Sequence, residues 1–238
     1  MATSTFLTAE WRYLAMLNYE VDPGLLRNLV PVGTELDCWN GRTFVSLVGF
    51  RFLRTKVLGI AFPFHRDFDE VNLRFYVRRQ YGGETRRGVV FIREIVPRWT
   101  IAAVARNFYN ERYVTLSMKH NIQQDDSRTT IQYQWKIRKS WNTLSLTANG
   151  APLIPEPGSE EEFITEHYWS YAAQRGGSCV EYQVQHPQWR VWTATDARFD
   201  GCMEEFYGND LNAVLTQSPA SAFLAEGSAV SVHRGRRL

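Results

Sequence analysis

An Asn40-Gly41 dipeptide between two apolar runs is the sequence feature that most constrains how this chain can fold. Both residue types accept the positive φ angles that a type I′ turn requires, and such a turn joins two antiparallel strands. The run after the turn alternates with a period of two, at Phe44, Ser46, Val48, Phe50 and Phe52. Alternation of this kind is typical of a β-strand. The sequence therefore predicts a hairpin over residues 36–52 and a fold rich in strands.

Similar signals recur along the chain and predict a mainly β protein with inserted helices. Further strands are predicted at 11–20, 70–79, 88–96, 113–121, 129–138, 143–147, 167–171, 179–185 and 189–195. Short helices are predicted after the capping residues Asp22 and Ser159, and a longer amphipathic helix is predicted from Pro97 to about residue 110. Beyond Gly201 the pattern is weak, and it predicts only a short final strand at 230–232.

Composition limits the classes of protein that these strands can build. With 238 residues, 44% of them hydrophobic, the chain can bury one sizeable core, and we expect a single domain over 1–238. The 27 basic and 25 acidic side chains nearly balance, which argues against a nucleic-acid partner. No apolar stretch approaches the roughly 18 residues that cross a bilayer, so no membrane partner is expected. Three cysteines without a CxxC pair, and no leader-like start, predict a cytoplasmic protein with reduced thiols.

Several common chemistries have no signature in the sequence. The glycine-rich phosphate loops, the G-x-S-x-G nucleophile turn and the H-E-x-x-H zinc motif are all missing, and the five histidines are scattered. We therefore predict no cofactor and no metal.

Charged side chains inside apolar strands are the first candidates for a site, because burying a charge without a partner is costly. In the strand at 70–79, Glu70, Asn72 and Arg74 alternate with apolar residues. This polar face either meets solvent, as in most antiparallel strands, or lines a polar interior. In the strand at 88–96, a period of two places Arg93 and Glu94 on opposite faces, each beside apolar neighbours.

Four runs of sequence resemble a known family: PFHRDFDEVNLRFYVRR (63–79), RRGVVFIREIVPRWTIAAVARNFYNERY (86–113), GSEEEFITEHYWSY (158–171) and HPQW (186–189). Together they resemble the YqjF-like family of uncharacterised bacterial proteins, within the acetoacetate-decarboxylase-like superfamily. The resemblance implies a single-domain, largely antiparallel β-barrel with a central cavity and helices packed outside it.

The resemblance also indicates which decarboxylase residues this chain lacks. In the decarboxylases an arginine-glutamate pair is followed, after a spacer, by paired lysines, one of which forms a Schiff base with a β-keto acid. Here Arg106 matches the arginine, Asn107 replaces the glutamate, and Tyr113 lies near the lysine position. Lys119, six residues further on, is displaced by roughly 20 Å along a strand. Schiff-base decarboxylation through Lys119 is therefore the less favoured alternative.

The favoured hypothesis is a polar cavity for a small, carboxylate-bearing molecule. Its candidate ligand-binding residues are Glu70, Asn72, Arg74 and Arg93, and its candidate catalytic residues are Glu94, Arg106 and Tyr113. Arginine suits a carboxylate anchor, a glutamate a general base, and Tyr113 a hydrogen-bond donor to a developing enolate. Such a cavity would either bind its ligand or act as a lyase or hydratase. A third alternative is an interaction protein with a filled barrel that forms homo-oligomers through exposed strand edges.

Overall fold

The computed structural model describes residues 4–98, 112–174 and 176–238. In this part of the chain the strands are β1 (Thr5–Glu20), β2 (Glu35–Leu36), β3 (Phe44–Val57), β4 (Phe68–Tyr81), β5 (Glu84–Val96), β6 (Tyr113–Thr115), β7 (Met118–Gln124), β8 (Arg128–Ile137), β9 (Ser140–Asn149), β10 (Trp169–Ala173), β11 (Cys179–Gln185), β12 (Val191–Asp200), β13 (Ser221–His233) and β14 (Arg236–Arg237). The helices are α1 (Pro23–Leu26), followed by a 3-10 turn at Arg27–Leu29, α2 (Glu160–Thr165) and α3 (Glu204–Leu215).

Seven strands close into a ring in the order β5-β4-β3-β1-β13-β11-β10, with β10 pairing back to β5. Strands β12, β9, β8 and β7 continue the same sheet beyond β13 as an extension. The predicted mainly β fold is confirmed. The pairing is largely antiparallel, as predicted, and the exceptions in the described residues are β10 and β6, which each pair with β5 in parallel.

The two largest of three apolar clusters in the described residues lie on the two faces of the ring. On the outer face, Val71, Leu73 and Phe75 of β4 belong to a cluster with Tyr133 and other residues of β8 and β9. Gly49 lets the two layers approach, since a Cβ there would lie 2.5 Å from the Tyr133 ring. Inside the ring a second cluster collects large side chains, including Met16, Phe50, Phe163, Trp189 and Phe223. The outer face of β4 is therefore apolar, and its polar side chains point into the ring.

A β-bulge in β5 changes which charged side chain faces the ring. Leu73 pairs with Arg93, but Arg74 pairs with Phe91, so Ile92 is an extra residue on its strand. Residues on either side of a bulge exchange faces relative to a strict period of two. Glu94, opposite Asn72, lies on the same face as Phe91, and Arg93 lies on the other face. Arg93 and Glu94 lie on opposite faces as predicted, but strict alternation from Phe91 would place Arg93 on the face of Phe91, and the bulge places Glu94 there instead.

Several local predictions from turn and capping residues are confirmed. Asn40 and Gly41 have φ values of 49° and 79°, as a type I′ turn requires. The Asp22 carboxylate accepts a 2.7 Å hydrogen bond from the Gly24 N–H at the start of α1. Ser159 caps α2 by accepting from the Glu162 N–H. One detail differs: β2 pairs with β4 rather than β3, so the predicted hairpin closes only through the Trp39–Arg42 pair.

The part of the chain beyond Gly201 holds more structure than the sequence pattern predicts. Strand β13 is 13 residues long and belongs to the ring, and α3 precedes it. Phe223 and Val230 of β13 both belong to the inner cluster although they are an odd number of positions apart. Gly227, with a φ of 76°, lies between them and interrupts the period of two. The predicted helix at 97–110 lies outside the described residues beyond position 98.

Candidate functional site

Strand β4 aligns three polar side chains along the inside of the ring. Glu70, Asn72 and Arg74 are 2%, 1% and 8% exposed, so all three are buried. They share a face because alternate residues of a strand point the same way. The Asn72 amide donates a 3.0 Å hydrogen bond to Oε1 of Glu70, which holds the carboxyl group in place. Of the two interpretations of this face, the polar interior is the one that these burials support.

Glu94 and Tyr113 lie beside this row of side chains. Glu94 is paired with Asn72 on one side and with Tyr113 of β6 on the other. The Tyr113 hydroxyl donates a 3.2 Å hydrogen bond to Oε2 of Glu70, and it also interacts with Glu94. One phenol therefore lies between two buried carboxyl groups.

Burial changes the proton affinities in this group. The pKa of Glu70 is raised from 4.5 to about 7, mainly because burial penalises the charged carboxylate; Asn72, Tyr113 and Arg74 oppose that rise. The pKa of Tyr113 is raised well above its usual value by burial and by the two nearby glutamates. Glu70 can thus exchange a proton near neutral pH, and Tyr113 stays a neutral hydrogen-bond donor.

Arg74 is a buried cation without a carboxylate partner among the described residues. Its Nη2 lies 3.4 Å from the Ile164 carbonyl and 3.9 Å from the Met16 sulfur, and its Nε has no hydrogen-bond partner in the described part of the chain. The Oδ1 of Asn72 also lacks a partner there. A buried guanidinium favours a paired anion strongly, so the unused Arg74 Nε–H suits a bound carboxylate, whereas the Asn72 Oδ1 can accept from a hydroxyl or another N–H or O–H donor.

The structure adds aromatic and histidine side chains that the sequence analysis did not single out. Trp189 and Trp11 pack together inside the ring of strands, with the centroids of their indole rings 6.2 Å apart. The His186 side chain stacks on Trp189, with a distance of 4.1 Å between the two side-chain centroids. Burial lowers the pKa of His186, and the nearby positive charge of Arg74 lowers it further. In the sequence, two of these residues stood out only as part of the HPQW run, which contributed to the family resemblance and not to a predicted site.

His167 is a second buried histidine near Arg74. Neither ring nitrogen has a hydrogen-bond partner among the described residues, and Nε2 lies 3.9 Å from the Asp37 carboxylate. Burial lowers the pKa of His167 to about 4, so the ring is neutral at physiological pH. A neutral imidazole offers one donor and one acceptor to any molecule that reaches it.

Two other sequence-predicted residues, Arg93 and Lys119, do not join this group, and a third cannot be placed. Arg93 lies on the outer face, with its guanidinium carbon 5.4 Å from the Phe206 ring. Arg106 falls outside the described residues. Lys119 is exposed on β7, where its ammonium lies 4.3 Å from the ring of Trp141. Schiff-base decarboxylation through Lys119, which requires this lysine inside the ring, is therefore not supported by its position.

No cluster of three or more His, Cys, Asp or Glu side chains that could hold a metal ion occurs in residues 4–98, 112–174 and 176–238. Over the same ranges, no helix has the length and hydropathy that crossing a bilayer would require.

Comparison with known proteins gives matches over most of the chain. A family model named DUF2071 and described as an uncharacterized conserved protein matches residues 8–229. The uncharacterized protein YqjF of Bacillus subtilis (strain 168) is 30% identical over 189 residues, which are 77% of this chain and 74% of the relative.

Solved structures with the same fold include two enzymes. Acetoacetate decarboxylase from Legionella pneumophila subsp. pneumophila str. Philadelphia 1 superposes with a TM-score of 0.70 and 13% identity, over 100% of this chain and 90% of that chain. The enduracididine biosynthesis enzyme MppR, in complex with pyruvate, has a TM-score of 0.68 and 13% identity, over 100% and 91% of the two chains. At this identity the similarity shows the fold alone.

Proposed function

This chain belongs to the DUF2071 family of uncharacterised conserved proteins and has an acetoacetate-decarboxylase-like fold, and we propose that its ring binds a small carboxylate-bearing molecule. We further propose that the ring catalyses proton transfer on this molecule without a Schiff base. The observation that carries this proposal is the buried Arg74, which has no carboxylate partner among the described residues, on the same strand face as Glu70. Pyruvate in the MppR complex is a molecule of the proposed class.

Arg74 supplies the anchor for the ligand carboxylate. Its guanidinium can present two parallel N–H donors to two carboxylate oxygens, a geometry that fixes orientation as well as position. Asn72 and Glu70 follow on the same face towards the start of β4. A molecule held at Arg74 therefore extends along the strand, with its reacting carbon towards Glu70 and Tyr113. The aromatic rings of Trp11 and Trp189 suit an apolar part of the ligand.

Glu70 and Tyr113 supply the proton chemistry. With a pKa of about 7, Glu70 is partly ionised at neutral pH and can remove a proton from the carbon next to a carbonyl or carboxylate group. Tyr113 then donates a hydrogen bond to the oxygen on which negative charge develops. In a dehydration, the C–H electron pair forms the C=C bond, hydroxide leaves with a proton from the site, and water is released.

A lysine nucleophile is not available to this site in the described structure. All four lysines of the sequence lie in the described ranges: Lys56, Lys119 and Lys139 are exposed, and Lys136 lies 6.0 Å from the exposed Trp141 ring. An imine requires an uncharged amine next to the substrate carbonyl. We therefore propose acid–base chemistry rather than imine chemistry.

Hydrogen–deuterium exchange tests the proposed proton transfer. The wild-type protein is incubated in D₂O with pyruvate or 3-hydroxybutyrate. Proton NMR follows the loss of the C–H signal at C3 of pyruvate, next to the ketone, or at C2 of 3-hydroxybutyrate, next to the carboxylate. We expect exchange with the wild-type protein and its loss, by 100-fold or more, in Glu70→Gln. Glu84→Gln, at an exposed position of the same hairpin, is the matched control and should keep the wild-type rate. Saturable binding without any exchange would favour a non-catalytic binding protein instead.

Borohydride trapping tests the rejected alternative directly. The protein is mixed with acetoacetate and sodium borohydride, and its intact mass is measured. We expect no added mass, because no lysine reaches the ring. A reduced adduct located on a lysine by peptide mapping would overturn the proposed mechanism and restore the decarboxylase alternative.

A further inference from the structure

Three arginines converge on one buried carboxylate outside the ring, near the turn that joins β4 to β5. Glu181 of β11 is 2% exposed and accepts from Arg79 at 3.1 Å, Arg86 at 2.7 Å and Arg236 at 3.0 Å. The Tyr171 hydroxyl donates a fourth hydrogen bond to the same carboxylate. Glu181 is thus fully occupied, and its single negative charge is shared among three guanidinium groups.

The opposite face of the same hairpin has balanced charges. There Arg78 pairs with Glu35 at 2.8 Å and Arg87 pairs with Asp37 at 2.7 Å, so two arginines have two carboxylates. Arg79 and Arg86 lie directly opposite each other on the outer face, an arrangement that like charges disfavour. The two faces therefore differ in charge although they belong to one pair of strands.

Other acidic groups do not neutralise the outer face. With Arg236, the group carries three positive charges against the one of Glu181, an excess of two. Glu84 lies opposite Tyr81 in the turn, but it is exposed and forms no ion pair with any described residue. The excess positive charge remains unpaired within the described structure.

The three arginines surround one exposed aromatic ring. Their guanidinium carbons lie 4.9 Å (Arg79), 4.2 Å (Arg86) and 4.9 Å (Arg236) from the centroid of Tyr81. Arg236 also donates to the Tyr81 hydroxyl at 3.3 Å, and this contact lowers the pKa of the phenol. Contact with the Tyr81 side chain restricts the three guanidinium groups. Their N–H donors that do not reach Glu181 are therefore held around the Tyr81 phenol.

We infer that Arg79, Arg86 and Arg236, arranged around Tyr81 and Glu181, form a binding site for a doubly charged oxyanion such as a phosphate group. Two negative charges match the excess of the cluster, and tetrahedral oxyanions accept two-pronged hydrogen bonds from arginine. The site lies on the outer face of the sheet, so it is independent of the chemistry proposed inside the ring.

Calorimetric titration with inorganic phosphate at pH 8 and constant ionic strength tests this inference. We expect saturable binding with one phosphate per chain and an affinity that is weakened about tenfold or more in Arg236→Gln, because one charge-assisted contact is lost. Arg190→Gln, which removes an exposed arginine from its pair with Glu226, should bind like the wild type. Arg79→Lys keeps the charge and loses the planar donor, and it should also bind more weakly.

A parallel titration with glycerol 3-phosphate identifies the source of the anion. Tighter binding than inorganic phosphate indicates an organic phosphate monoester, and equal binding indicates the free ion; either result supports the site. Absence of saturable binding for both probes, or unchanged affinity in Arg236→Gln with circular dichroism showing a folded protein, would overturn the inference.

Discussion

The two ends of the β4–β5 hairpin both carry arginine, but the arginines have different partners. At the turn end, Arg78, Arg79, Arg86 and Arg87 each form an ion pair with a carboxylate of the same chain. Inside the ring, Arg74 has contacts to a carbonyl and a sulfur but to no carboxylate among the described residues. The difference indicates that the ion pairs of the turn arginines stabilise the fold even where, on the outer face, positive charge is left in excess, whereas the inner arginine forms no ion pair and has its whole charge available to a ligand.

Removal of the Glu181 carboxylate should have the largest effect on stability. In Glu181→Gln, three guanidinium groups lose their shared counter-charge, and we expect the free energy of unfolding to fall by about 3 kcal/mol or more. Denaturant unfolding at low ionic strength measures it. Glu226→Gln, which breaks an exposed pair with Arg190, is the control and should cost less than about 1 kcal/mol. Equal effects in the two variants would contradict a structural role for the turn end.

The pH dependence of stability should differ between the wild type and Glu70→Gln. The folded pKa of Glu70, about 7, exceeds its ordinary 4.5, so this group contributes stability below about pH 4.5 and loses that contribution as the pH rises to about 7. Relative to Glu70→Gln, the wild type should lose about 3 kcal/mol of unfolding free energy over this range. Unfolding curves at pH 4.5, 6, 7 and 8 measure the difference. Parallel curves would show that Glu70 titrates normally.

Separate substitutions of Arg87 and Arg74 test whether a turn arginine contributes more to stability than the inner arginine does. Arg87→Gln leaves the buried Asp37 carboxylate without its 2.7 Å partner, and we expect a loss of about 2 kcal/mol. Arg74→Met removes a buried cation that has no carboxylate partner in the described structure, and stability should change by less than about 1 kcal/mol. Thermal and denaturant unfolding compare the two variants. A larger loss in Arg74→Met would mean that the inner arginine is structural as well.

Tyr113→Phe should have the smallest effect on stability and a clear effect on reactivity. The variant loses the hydrogen bond to Glu70 that opposes the rise in the Glu70 pKa, so the midpoint of the pH–rate profile should move upwards. We expect deuterium exchange to slow about 10-fold to 100-fold. NMR exchange rates from pH 5 to 9 measure both quantities. An unchanged midpoint would separate Tyr113 from the proton-transfer group.

The sequence alone predicted the main features of this fold, and the limits of the prediction have physical causes. The resemblance to the family is confirmed, and Glu70, Asn72 and Arg74 do share one face because β4 is regular where they lie. Arg93 and Glu94 lie on opposite faces as predicted, but which of them points into the ring could not be predicted, since a period of two contains no information about a bulge that forms only on pairing with β4.

Other omissions arise from long-range packing. In β13 the alternation of inward-facing and outward-facing side chains is interrupted at Gly227. In α3 the φ of 78° at Gly208 interrupts the helix, so its apolar residues do not keep a helical period. His167 is isolated in the sequence, and only the fold places it against Tyr76 and Asp37. The role predicted for Arg106 stays a prediction, because this residue lies outside the described part of the chain.

Calorimetric titration of small carboxylates into the wild-type protein and Arg74→Met tests directly whether Arg74 anchors a carboxylate ligand inside the ring. The probes are pyruvate, acetoacetate and 3-hydroxybutyrate, and Arg190→Gln serves as the control. We predict that at least one probe binds the wild type and the control with one molecule per chain, and that Arg74→Met weakens this binding by about 100-fold or more. Equal affinity in the wild type and Arg74→Met, or no binding of any probe, would show that Arg74 does not anchor a carboxylate ligand.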